Sequence, residues 1–271
     1  MRCWVNGQPS QQLALQDRGL AYGDGLFESI AVRRGRAPLL DWHLARLQRG
    51  CERLRLPCPT AERLAQLTAF IAEQQDGVVK LILTRGVGQR GYALPDPCQP
   101  TLILQGLPAP AYPAGHATDG VRLFACRTRL AEQPLLAGIK HLNRLEQVLA
   151  RAEWQDPAFP EGLLCDTQGR VIEGVSSNLF LQRGGVLMTP DLQRCGVAGV
   201  MRAWLLEQAA VLRIPLQVRD ISLADLQAAD EVFVCNSLFG IWPVRELADS
   251  HWPVGELTRK LQALVSRLMD E

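Results

Sequence analysis

The stretch LPAPAYPAGHATDG, residues 107 to 120, holds three prolines and two glycines and shows no hydrophobic period. Proline fixes φ and withholds a backbone donor, so neither a regular helix nor a central strand runs through such a segment. Strand and helix patterns occur on both sides of it. The chain therefore reads as two domains of mixed α/β character, 1–107 and 121–271, joined by a linker at 108–120. A length of 271 residues leaves each half enough chain to bury a core of its own.

In the first half, GLFESIAVRRGR is rich in β-branched and aromatic residues and ends in a turn at Gly35, which predicts a strand. Leu40, Leu44, Leu47, Cys51 and Leu54 then recur at spacings of three and four, the period of a helix. TAERLAQLTAFIAEQQ predicts a second helix with Thr60 as its N-cap, and GVVKLILTRG and PTLILQG read as strands. In the second half VRLFAC is a strand. A helix is expected after residue 140, with Leu142, Leu145, Leu149 and Ala152 on one face. EGLLCDTQGRVIEG reads as two strands around a turn at 167–169, and SNLFLQRGGVLMTP as a hairpin turning at 184–185. A helix starts near Gly199, DEVFVCN and IWPVREL are strands, and a helix closes the chain from Gly255.

Charge and composition exclude several classes. A net charge of +1 provides no basic field for nucleic acid. No segment approaches the roughly 18 consecutive apolar residues of a membrane span. The opening MRCWVNGQPS lacks the apolar run of a signal peptide, so a cytoplasmic location is expected. Eight cysteines are scattered with no C-x-x-C pair; they read as buried thiols, and no metal site is expected.

Four places carry chemistry. The chain has three lysines against twenty-six arginines, and one of them, Lys140 in LAGIKHLNRLEQVLAR, lies at an element boundary. Such a lysine is either a surface cation or a nucleophile suited to a Schiff base. Glu173 in RVIEGVSSN shares a strand face with Val171 and Val175. It is either the rim of an exposed strand or a buried anion facing a fixed cation. GVAGVMRAWL places Gly196 and Gly199 before a helix whose first-turn amides, from Val200 and Met201, suit an anion. TRGVGQRGY, residues 84 to 92, carries Arg85, Arg90 and Tyr92 among glycines: a flexible surface loop, or a mobile cationic loop for carboxylates. An amine, a carboxylate and a phosphate cradle are what pyridoxal 5′-phosphate requires of a protein.

The blocks YGDGLFESI, HLARL, LTRGVGQRGY, GIKHLNRLEQVLAR, VIEGVSSNLF, GVAGVMR and DEVFVCNSLFGIWPV run in the order found in fold type IV pyridoxal-phosphate enzymes. The resemblance extends from about residue 3 to residue 265. It implies two α/β domains with the cofactor at the domain interface, and a homodimer. Lys140 is then the lysine that carries the cofactor and Glu173 the partner of its ring nitrogen. Arg46 matches the phosphate-binding arginine, although its place on the helix, with Arg49 and Arg53 off the apolar stripe, reads as solvent-facing. The amides of Val200 and Met201 and the hydroxyl of Ser237 join it, and Asn236 lies beside them. The family includes branched-chain and D-amino-acid aminotransferases and 4-amino-4-deoxychorismate lyases. GIKHLNRLEQVL and the RGxGxRGY form look like the lyase branch. Phe27 stands where D-amino-acid aminotransferases have tyrosine, and Arg90-Gly91-Tyr92 replaces their Arg-x-His clamp. The activity so implied is conversion of 4-amino-4-deoxychorismate to 4-aminobenzoate and pyruvate, with Phe27, Arg90 and Tyr92 toward the substrate. Branched-chain or D-amino-acid transamination is the alternative.

Overall fold

The computed structural model describes residues 2–270, which fall into two compact units. The first runs to Pro110 and takes in Ile139–Asn143; the second comprises Ala111–Gly138 and the chain from Arg144 onward.

The first unit contains β1 (Arg2–Val5), β2 (Gln8–Pro9), α1 (Arg18–Tyr22), β3 (Gly25–Val32), α2 (Leu40–Leu54), α3 (Ala61–Gln74), β4 (Gly77–Thr84) and β5 (Thr101–Leu107). Its strands form one antiparallel sheet in the order β2-β1-β5-β4-β3. Alternation along each strand sorts the two faces. Leu26, Glu28, Ile30, Val79, Leu81, Leu83, Leu102 and Leu104 are buried on the face that α2 and α3 cover. Phe27, Ser29, Lys80, Ile82, Ile103 and Gln105 alternate with them and stay half-buried. Thr60 caps α3 as its sequence predicts, its hydroxyl accepting from the Arg63 amide at 3.4 Å.

The second unit contains α4 (Gly115–Thr118), β6 (Val121–Leu130), α5 (Leu145–Arg151), β7 (Glu161–Asp166), β8 (Val171–Gly174), β9 (Asn178–Arg183) and β10 (Val186–Pro190). It continues with α6 (Val200–Val211), β11 (Leu216–Arg219), α7 (Leu223–Gln227), β12 (Glu231–Asn236), β13 (Gly240–Leu247), β14 (Ser250–His251) and α8 (Glu256–Asp270). The sheet is mixed, in the order β11-β10-β9-β12-β13-β6-β7-β8 with β14 on β13. Leu163, Cys165 and Val171 enter one apolar cluster, while their neighbours Leu164 and Ile172 enter another. A sheet buried on both faces needs strands that are apolar throughout, which is why EGLLCD and VIEG do not alternate.

Two features differ from the sequence reading. The segment 108–120, read as linker, contains one helical turn, α4. The helix expected directly after residue 140 begins only at Leu145. Residues 139–143 are drawn instead along the outer edge of β3, where the Phe27 amide donates to the Lys140 carbonyl at 2.9 Å and the Leu142 amide to the Gly25 carbonyl at 3.0 Å. An edge strand has unpaired backbone groups to offer, and these outweigh one more turn of helix. Of the predicted stripe, Leu145 is 74% and Leu149 62% exposed. Among the described residues no helix is long and apolar enough to cross a membrane.

Candidate active site

Lys140 owes its position to that edge pairing. With its carbonyl on the Phe27 amide and the Asn143 side chain on the Gly23 carbonyl (3.2 Å), its backbone is fixed against β3. Its Nζ stands 4.5 Å from the centre of the Phe27 ring, within cation–π range. Lys80, which reaches the same ring from β4 with Nζ at 5.8 Å, is a second cation that the sequence reading passed over. Two of the three lysines of the chain therefore meet at one aromatic side chain.

Behind this face lies a buried charged group on α2 and β3. Arg46 is 5% exposed, not solvent-facing as its helical position implied. Its Nε donates to Glu28 Oε1 at 2.8 Å and its Nη2 donates to Oε2, a fork-to-fork pair. Only Arg49 and Arg53 of the three helix arginines are exposed. The reason Arg46 turns inward is Glu28, which alternation along LFESIAV puts on the same face as Leu26 and Ile30. His43, one turn before Arg46, places Nδ1 2.6 Å from Glu28 Oε2. Burial alone would raise the Glu28 carboxyl. The Arg46 charge and the bonds from Arg46 and His43 prevail and hold it at about 2. A carboxylate can only accept, so His43 Nδ1 carries the proton and Nε2 is an acceptor. That Nε2 is buried and has no partner among the described residues. Burial pushes the His43 pKa down against the pull of Glu28, and the charges of Arg46 and Lys140 push it further.

In the second unit Glu173 is 4% exposed, so it is not the rim of an exposed strand. Its Oε2 accepts from the Val197 amide at 2.8 Å and from Asn178 Nδ2 at 3.5 Å. Asn178 also donates to the Val197 carbonyl (2.9 Å) and accepts from the Gly199 amide (2.9 Å). One side chain thus joins Glu173 to the loop that opens α6. Glycine is required twice in that loop: a Cβ on Gly196 would come within 2.8 Å of Ile172, and one on Gly199 within 2.1 Å of Asn178 Oδ1. Gly199 is the N-cap of α6 and caps with no side chain, so the amides of Val200 and Met201 open the helix without a side-chain acceptor. Burial lowers the pKa of Arg144 and Arg202, against opposing charges that include Glu173 for the first and Cys235, Asp191 and Glu173 for the second.

The other anticipated positions divide. Asn236 is occupied by its own turn: Oδ1 accepts from the Leu238 and Phe239 amides at 2.9 Å, and Nδ2 donates to the Ser176 carbonyl. Ser237 follows it, half-buried. In the 84–92 loop Arg85 is 3% exposed and donates to the Leu54 and Arg55 carbonyls at the end of α2, so it is a helix-terminus arginine, not a substrate cation. Arg90 is exposed, and Tyr92 is 86% exposed with its ring 5.5 Å from that of Tyr22. Glu28, His43, Lys80 and Asn178 are the polar positions the sequence reading missed. Alternation could have flagged Glu28, since a carboxylate in register with Leu26 and Ile30 needs a cation; nothing local announced the others.

The residues suit pyridoxal phosphate. In the first unit His43 Nε2 is buried without a hydrogen-bond partner among the described residues; in the second, the α6 terminus offers amides whose chemistry fits a phosphate. The amino-transferase class IV family model matches residues 25–247. An aminodeoxychorismate lyase of Vibrio harveyi is 38% identical over 96% of this chain and 97% of its own length. The crystal structure of 4-amino-4-deoxychorismate lyase from Pseudomonas aeruginosa shares 62% identity, with a TM-score of 0.96 and 98% of each chain covered. A hypothetical aminotransferase from Mycobacterium tuberculosis, in a PLP-bound form, is 25% identical with a TM-score of 0.83, over 99% of each chain. The chain belongs to the class IV amino-transferase family.

Proposed function

We propose that this protein is a pyridoxal-phosphate-dependent lyase that converts 4-amino-4-deoxychorismate to 4-aminobenzoate and pyruvate. The observation that carries the reading is the full-length likeness to lyases joined to the placement of Lys140 over Phe27. When bound, the cofactor supplies an electron sink for the substrate carbon that bears nitrogen. Lys140 would hold the cofactor, and its amine would serve as the base for the proton on that carbon. Glu173, oriented by Val197 and Asn178, would be the partner of the cofactor's ring nitrogen. Arg46, fixed by Glu28, would lend its charge to the phosphate, and the amides of Val200 and Met201 and the Ser237 hydroxyl would be hydrogen-bond donors for it. Asn236 orders the turn that carries Ser237. Loss of the enolpyruvyl group leaves an aromatic ring, so no keto-acid acceptor is consumed. The substrate carries two carboxylates, and Arg90 and Lys80 are cations suited to them, with Tyr92 and Phe27 as apolar walls.

The active form is a homodimer in this reading. Leu145, Val148 and Leu149 line one face of α5 at 74%, 59% and 62% exposure, an apolar stripe that supports contact with a second copy. All eight cysteines are free, in keeping with a reducing cytoplasm.

The test supplies 4-amino-4-deoxychorismate without keto acid and follows 4-aminobenzoate fluorescence. Wild type should turn over, and Lys140→Ala should lose turnover and the visible absorbance of bound cofactor while its melting temperature holds. Transamination of amino acids with a keto acid, and no 4-aminobenzoate, would move the function to the aminotransferase branch.

A further inference from the structure

The loop of residues 84–92 is anchored at both ends on one carboxylate. At its start the Arg85 amide donates to the Asp24 carbonyl at 3.0 Å, and Arg85 Nε to Asp24 Oδ2 at 2.8 Å. At its far end stands Arg18, only 4% exposed at the head of α1. Its Nε donates to the same Asp24 Oδ2 at 2.9 Å, its Nη1 to the Gly91 carbonyl at 2.9 Å and its Nη2 to the Tyr92 carbonyl at 3.4 Å. The guanidinium also lies 4.9 Å from the Tyr22 ring, whose hydroxyl accepts from the Gly91 amide at 3.2 Å. Burial raises the Asp24 carboxyl, yet the two arginines bring it below the usual carboxylate range, so it remains the anion both ends share.

The two arginines do different work. Arg85 closes the end of a fifteen-residue helix, a task set by the fold. Arg18 closes no regular element with its two terminal nitrogens. They go to the carbonyls of Gly91 and Tyr92, the two residues that follow the exposed Arg90. Burying a guanidinium is costly, and its planar fork is the group that can fix two successive carbonyls in one plane.

We propose that Arg18 is a positioning residue for substrate binding: it holds the 91–92 backbone so that Arg90 and Tyr92 are presented to a substrate carboxylate in one arrangement. The inference rests on the reading of this loop as the carboxylate-binding element. It separates the loop's charge, supplied by Arg90, from its order, supplied by Arg18 through Asp24.

Two measurements on the cofactor-loaded protein test it. Trypsin cuts after Arg90 only when the loop opens, so cleavage at the Arg90–Gly91 bond under native conditions reports order without any reference to activity. Arg18→Met should be cut there about tenfold faster than wild type. Its KM for 4-amino-4-deoxychorismate should rise about tenfold or more, with kcat within about threefold and the cofactor absorbance unchanged. If Arg18→Met fails to fold, Arg18→Lys, which keeps a charge at Asp24 and loses the fork, is read by the same measurements, with smaller changes in the same sense. Unchanged cleavage, or faster cleavage with an unchanged KM, overturns the proposal. A joint fall of kcat, cofactor absorbance and melting temperature also overturns it, since that is the mark of a merely structural arginine. Should wild type release no 4-aminobenzoate, the lyase reading fails by itself. The cleavage rate and the KM for an amino-acid substrate then decide on Arg18.

Discussion

Each unit buries a glutamate of the candidate site, and the two stand in different surroundings. Glu28 is gripped by side chains that carry or share charge: both oxygens on Arg46, one of them also on His43. Glu173 accepts at Oε2 from the Val197 amide and from the Asn178 side chain. A carboxylate committed to a buried guanidinium has its work inside the fold, where it sets the rotamer of Arg46. In the proposed function Glu173 instead serves the ring nitrogen of the cofactor. The first should therefore govern stability and cofactor affinity, the second the rate of the chemistry.

The largest effect expected from that contrast is at Glu173. Glu173→Gln keeps an acceptor for the Val197 amide and nearly the same volume but removes the charge. Turnover should fall about a hundredfold or more, while the melting temperature stays close to wild type. A variant that loses its fold before its rate would show that Glu173, like Glu28, is spent internally.

Glu28→Gln reverses the pattern. It leaves Arg46 buried with half of its partner, a loss on the order of 3 kcal/mol by analogy with broken buried pairs. Affinity for the cofactor should weaken, because Arg46 is released from its fixed rotamer, and saturating cofactor should restore most of kcat. Equilibrium unfolding and cofactor titration read the two effects separately. A kcat that stays low at saturation would make Glu28 part of the chemistry and remove the distinction between the two carboxylates.

How legible these groups were follows from the range of the interactions that make them. The strands and most helices lie in local periodicity, and β3, α2, β7 to β10 and α6 come close to their predicted bounds. Lys140 and Glu173 stand out because each sits in a short block of unusual composition. Arg46 is different: periodicity puts it outside the apolar stripe of α2, and Glu28, eighteen residues away on β3, turns it inward. For the same reason the repeat of Leu142, Leu145 and Leu149 does not show that its helix begins only at Leu145. A three-and-four repeat identifies an apolar face and says nothing of what covers it, and the pairing of residues 139–143 with β3 depends on an edge that no local pattern reveals.

The smallest effect separates the members of the Glu28 group by their response to acid. Glu28 has its carboxyl at about 2 in the fold against an ordinary 4.5, so its contribution is complete above pH 4.5 and is lost as the pH falls toward 2. His43 is depressed below its ordinary 6.5, chiefly by burial. Its unfolded form takes up a proton first, so the neutral buried ring supports the fold above pH 6.5 and that support is lost as the pH falls below it. Wild-type stability should thus decline in two stages on acidification. His43→Gln keeps a donor toward Glu28 and cannot titrate, so the upper stage should vanish and the lower one remain. Glu28→Gln should do the converse for the lower stage and, by removing the anion that favours the charged ring, make the upper one steeper. Unfolding free energies measured between pH 7 and pH 3 on the three proteins decide this. An upper stage that survives in His43→Gln would place the titrating group elsewhere in the molecule and leave Glu28 and Arg46 as a pair that holds without its histidine.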